Sequence, residues 1–343
     1  MLTLARDYRG LNQTELAEQS ETTQGFISQV EQRQKEASEH TIARWAAVLR
    51  VPESFFFQRD RYTGFGLSLV FHRKRSGTQV AHMRRLQAEV NLRRIHITRL
   101  LNAVEIETAN EFILMDIDDY HGDSERVAAF VRASWKLPIG PIRNLVEVIE
   151  AAGGIVFKFP FVTSDVDAMS QWPVDSPPLF FLNSEAPNDR IRFSLAHEIG
   201  HVVMHRNATG DIESEADRFA GELLMPASEI APHLDNMSLK LALRLKPYWR
   251  VAMQALIRRA RDLGRIPDPH YSRLFRQLSA LGMRKNEPSP ISPEHPTLVN
   301  RIISEYQRVN RCTQSDVAIA LCISEEEFQS LYGPRQGLRV ANE

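Results

Sequence analysis

The chain has 343 residues, enough for two or three domains at about 100–200 residues each. It is 43% hydrophobic and 25% charged with a formal net charge of −1, an ordinary composition for packed domains. Its two cysteines, Cys312 and Cys322, exclude a disulfide framework and a cysteine-rich metal site. No apolar run approaches the ~20 residues of a membrane span and no secretory signal is read, so a cytosolic protein without membrane contact is expected.

Residues 1–60 read as a run of short helices, with Leu4, Leu11, Leu16, Ala17, Ile27, Val30, Ile42, Trp45, Ala46 and Leu49 mostly three or four apart. Thr14 to Gln19 makes one helix, residues 20–23 break it, and Gln24 to Gln32 makes the next, capped by Thr22 or Thr23. Two helices joined by a tight turn suit major-groove entry, the second going in by its N-terminal end. Thr23, Gln24, Ser28 and Gln29 there can bond base edges or phosphates of double-stranded DNA. The charge balance of residues 1–60 is poor for phosphate, nine acidic against seven basic, so a helical docking or dimerisation module is the alternative.

A connector follows over 61–122, with a strand at Phe65 to Phe71 and one or two basic helices between Gln79 and Ala109. Eight Lys or Arg stand against Glu89 alone between Arg73 and Arg99, a stretch that suits phosphate or an ordinary solvated face. Residues 123–286 read as an α+β domain in a mainly helical chain. Helices are expected at Ser124 to Ser134 and Ile142 to Ala152, and strands at Ile155 to Phe161 and Pro178 to Asn183. Residues 245–264 read as one packed helix with a basic rim that includes Lys246 and Arg259. Glu287 to Thr297, with four prolines, reads as a linker to a small helical tail within 287–343 that echoes the two-helix rhythm of the N-terminus.

The chemistry centres on Arg192 to His205, read as one helix. His197 and His201, four apart, project from one face and can share a tetrahedral zinc ion at about 2.0–2.1 Å. Glu198 is placed to act as general base on a water at that ion. The surrounding Phe193, Leu195, Ile199, Val202, Val203 and Met204 bury this helix, and buried paired histidines need a reason. Gly200 admits a close neighbour. On the next helix, over 211–226, Glu213 and Asp217 share a face, so Glu213 can bind the ion while Asp217 orients a histidine. Glu215 competes with Glu213 as third ligand, and His205 reads as a packed or substrate-side residue.

Two resemblances join these readings. Residues 8–57, through QTELAEQSETTQGFISQVEQ, resemble the Cro/repressor-type helix-turn-helix, which implies an all-α lambda-repressor-like domain on a DNA operator, with the chain as a homodimer. NDRIRFSLAHEIGHVVMH with ESEADRFAGELLMP is similar to the ImmA/IrrE family of gluzincin-like metallopeptidases, and the likeness extends through WKLPIGP and LKPYWRVAMQALIRRARDLG. That second resemblance implies His197, His201 and Glu213 as zinc ligands, Glu198 as catalytic residue, and a regulatory protein as substrate: another repressor, or the chain itself. A transcription factor that uses the peptidase fold as a metal or ligand sensor is the other expectation.

Overall fold

Short helices open the chain, all but the first with side-chain caps. The computed structural model describes residues 1–60, 80–205, 211–284 and 286–333. They form two units, one from the described residues of 1–64, 78–105 and 299–343, the other from those of 106–298.

In the first unit α1 is Leu2–Tyr8, α2 Gln13–Gln19, α3 Gln24–Glu31 and α4 Glu39–Leu49. Asn12 and Glu15 make a reciprocal capping box on α2, and Thr23 and Ser38 cap α3 and α4. Each such cap is worth about 1 kcal/mol. Leu4, Leu16, Ile27, Trp45 and Leu49 close one core with Ala88, Leu92 and Ile95 of α5, which runs from Val80 to Leu101. The poor charge balance is partly internal, because Arg6, almost fully buried, pairs with Asp7 and Glu31 at 2.7 Å each.

The strand expected at Phe65 to Phe71 lies outside the described residues, as do Arg73, Lys74 and Arg75. Of the rest of the basic stretch, Arg84 and Arg85 are exposed and the later residues turn inward. Arg93 is buried and bonds the Glu89 carbonyl, and Arg99 pairs with Asp60 and bonds Gln58. The reason is that α5 is a core helix of this unit, packed along α1. The C-terminal helices Gln314–Ala320 and Glu325–Tyr332 also belong here. Glu327 bonds Tyr8 and pairs with Arg9 at 2.8 Å, and Leu331 packs on the core.

His96 of α5 is fully enclosed, with Nδ1 2.8 Å from the Tyr332 hydroxyl and Nε2 without a partner among the described residues. Burial, helped by Arg99 and Arg93, pushes its pKa down to about 3. A lowered folded value means stability that is present above the unfolded pKa near 6.5 and lost as pH falls from there toward 3. Between pH 7 and pH 5 the unit is expected to lose about 2 kcal/mol, read as hydrogen-exchange protection of α5, and His96→Gln should abolish that loss. Equal pH dependence in both chains would refute the assignment.

In the second unit α6 is Ser124–Ser134 and α7 Leu145–Ala151, which ends where Gly153 takes a positive φ of 83°. Three strands follow, β1 (Ile155–Phe159), β2 (Ala168–Gln171) and β3 (Leu179–Asn183), in the order β1-β3-β2. β3 is parallel to β1 and antiparallel to β2, with Phe181 opposite Phe157 and Phe180 opposite Ser170. All of β3 is buried, as a continuous apolar run in a central strand should be. Then come α8 (Asn188–Met204), α9 (Ile212–Leu224), α10 (Ala227–Ile230), α11 (Leu239–Trp249), α12 (Met253–Asp262) and α13 (Asp268–Ala280). Among the described residues no helix is long and apolar enough to cross a membrane.

Two expectations change here. Residues 245–264 are two helices, because Arg250 adopts a left-handed conformation at φ 54° and ends α11. Their basic rim is partly core: Lys246 is fully buried against Asp189 and Glu287, and Arg259 against Glu125 and Glu222. The proline-rich segment is pinned where a linker was expected. Glu287 accepts from Lys246 at 2.9 Å and from the Met253 amide at 2.6 Å. Glu294 is buried against Arg192 and accepts from the Leu145 and Val146 amides at 2.9 and 3.2 Å. Composition shows that prolines break helices; it does not show that two glutamates between them find buried cations.

Candidate metal centre

His197 and His201 on α8 and His205 at its C-cap recur every four residues, so their rings follow one another along one face, edge-on or tilted and turned toward α9. Gly200 is what lets α9 come so near. A Cβ there would stand 3.1 Å from the Phe219 ring and 3.2 Å from the Ala216 Cα, tighter than ordinary packing allows. α8 is also packed against β2 on its other side, and Arg192, bonded to Glu294 and to the Ile142 carbonyl, fixes its first half.

His201 Nε2 lies 2.9 Å from His197 Nε2 and 3.3 Å from a Glu213 carboxylate oxygen. These three side chains place ligand atoms within 4.8 Å of one another, the one such group among the described residues. Each imidazole is held from behind. His197 Nδ1 is 2.9 Å from Asp217, which also pairs with Arg258 at 2.8 Å, and His201 Nδ1 is 2.9 Å from His205 Nδ1. His205 Nε2 is in turn 2.9 Å from Glu215.

The donor chemistry fits a divalent metal. Asp217 can only accept, so the hydrogen of a neutral His197 sits on Nδ1 and the Nε2 lone pair faces His201. A second imidazole nitrogen and a carboxylate converge on the same point. Without a cation that convergence needs a proton. Burial works against charge on His197, but the Asp217 hydrogen bond and the nearby carboxylates raise its pKa above the ordinary histidine value. A metal would replace that proton, since imidazole binds metal only when neutral. Asp217 stays below the usual aspartate value, its burial outweighed by His197 and Arg258. His205 is pushed down to about 4, by burial first and then by the adjacent histidines, and is neutral at pH 7.

Glu198 is 1% exposed on the same helix, and one carboxylate oxygen accepts a 2.6 Å hydrogen bond from the Ser170 hydroxyl of edge strand β2. Sequence reasoning missed Ser170, because a four-residue strand beside an irregular loop carries no periodicity. It also missed that Glu215 and His205 bond each other; their charges and positions on adjacent helices were the only signal.

In the first unit, of the four residues proposed to meet DNA, Thr23 and Gln24 lie at the start of α3 and Ser28 and Gln29 on its second turn. Thr23 spends its hydroxyl on capping, at 3.2 Å from the Phe26 amide, and Gln24 donates to Gln13 at 2.7 Å, which ties α3 to the first turn of α2. Ser28 accepts from Gln32 at 3.1 Å, and Gln29 is half-buried on the next turn. Nothing lies within 4 Å of a Cβ built on Gly25, so the backbone beside Gln24 faces open space.

One unit is thus a helix-turn-helix module and the other an α+β fold around an HExxH helix. Residues 3–56 match the helix-turn-helix family, and residues 149–261 match the IrrE N-terminal-like domain family. The chain carries an XRE-type helix-turn-helix and an IrrE/ImmA-like peptidase domain, the pair that its two motifs resemble. The first marks a DNA-binding regulator. A search of curated proteins finds no match to the chain.

Proposed function

We propose that this protein is a DNA-bound regulator whose second unit is a zinc endopeptidase acting on a regulatory protein. The observation that carries the reading is the convergence of His197, His201 and Glu213 beside buried Glu198, with both Nδ1 atoms already committed. His197, His201 and Glu213 would hold the ion. When bound, zinc supplies Lewis acidity, polarising the scissile carbonyl and lowering the pKa of water toward about 7. Glu198 takes the proton of the attacking water on its carboxylate and returns it to the leaving amine. Ser170 holds one Glu198 oxygen, which leaves the other for that proton. Asp217 and Arg258 keep His197 in one tautomer.

The test is to incubate the zinc-loaded chain with the regulatory proteins of its own cell, including the intact chain. A discrete fragment that disappears with chelator supports the reading. A chain that binds zinc yet cuts none of them favours a sensor that controls DNA affinity without hydrolysis.

On the DNA side, α3 enters the major groove by its N-terminal end, as a homodimer on a two-fold operator in the cytoplasm. Gln24→Ala and Gln29→Ala are each expected to cost about 1–3 kcal/mol of discrimination at a selected operator while sparing non-specific binding. Selection from random duplexes followed by titration of both variants measures this. Unchanged discrimination in both would place the base contacts elsewhere.

A further inference from the structure

We infer that His205 and Glu215 form a relay that positions His201, so that the two glutamates of the first turn of α9 serve the same site by different routes. The inference rests on the zinc reading above and adds a role for two residues that the HExxH pattern leaves out.

The argument is one of hydrogen placement. Glu215 Oε2 lies 2.9 Å from His205 Nε2, and a carboxylate accepts, so the His205 hydrogen sits on Nε2. The Nδ1 of a neutral His205 is then a lone pair. It lies 2.9 Å from His201 Nδ1 and must accept from it. That puts the His201 hydrogen on Nδ1 and frees Nε2, the atom that faces His197 and Glu213. The opposite order, with the hydrogen on His201 Nε2, would aim a proton at the point where the ion is held. His205 is 4% exposed and both its nitrogens are engaged, which distinguishes it from a residue that merely fills space.

The two ligand histidines therefore end on carboxylates in two ways. His197 reaches Asp217 directly, whereas His201 reaches Glu215 through a second ring. Outer partners of this kind carry about 10–100-fold in metal affinity. His205 and Glu215 are positioning residues, since neither belongs to the three-ligand group.

The zinc dissociation constant, from competition with a chromophoric chelator, is measured for the full chain and for His205→Phe, His205→Asn, Glu215→Leu and Glu215→Gln. Melting of each metal-free chain checks folding. Phe fills the buried volume but offers no acceptor, while Asn offers a carbonyl near the place of Nδ1. The relay predicts a loss of about 10–100-fold for His205→Phe and Glu215→Leu, with Asn and Gln recovering most of it. A space-filling role predicts the reverse order for Phe and Asn. Wild-type affinity in all four chains, or Phe better than Asn, overturns the relay while leaving the zinc site standing. A wild type that takes up no zinc overturns both.

Discussion

Replacing Glu198 by glutamine should leave about one zinc per chain and lower hydrolysis by on the order of 10²–10⁴-fold, the range general-base catalysis supplies. Glutamine has the same shape and keeps a carbonyl oxygen to accept from Ser170, so the buried contact between α8 and β2 survives. What it loses is a basic oxygen for the proton of the attacking water. Glu198 is absent from the ligand group, so metal content should not follow activity downward. The measurements are metal analysis of the purified chain and cleavage of whichever fragmenting substrate the first screen yields. Cleavage at the wild-type rate in the glutamine chain would exclude the assigned mechanism. Loss of zinc together with activity would instead make Glu198 a ligand.

The second large effect belongs to Glu213. Glu213→Ala should weaken zinc binding by more than the about 10–100-fold carried by outer partners, because it removes a ligand atom and not its support. The same substitution at Glu215 should stay within that range, because its carboxylate meets His205. Glu213 is 7% exposed on the first turn of α9, and alanine is a good helix former there, so the metal-free fold should tolerate the change. Chelator competition on both alanine chains decides the matter. A larger loss at Glu215 would exchange the two roles.

How far the sequence could be read depended on the range of the interactions involved. The helices of the first unit were legible because their signals are local: apolar spacing, the Thr23 cap, the break at residues 20–23. His197, His201 and Glu198 were legible because one helix presents them at fixed angles. β2, and with it the Ser170 contact to Glu198, was not, since four residues at a sheet edge owe their form to β3. Choosing between Glu213 and Glu215 by helical angle treated them as rivals for one partner. Both find a histidine, because the three rings climb α8 and its C-cap and each carboxylate meets a different one. The proline-rich segment was misjudged because composition suggested solvent, while distant cations took its two glutamates inside.

The first unit takes its described residues from both sides of 106–298 along the chain, from 1–64 and 78–105 before it and from 299–343 after it. In topological terms the peptidase-like unit is an insertion nested within the DNA-binding one. One severed peptide bond inside 106–298 would leave two pieces still joined by Leu331 on the core around Trp45, by the contact of Tyr332 with His96 and by the grip of Glu327 on Tyr8 and Arg9. A single cut there is expected to leave the helix-turn-helix part joined to the C-terminal piece. Self-cleavage at one such bond would nick the molecule without dividing it, so a switch that depends on releasing a domain would need a second cut or a separate target.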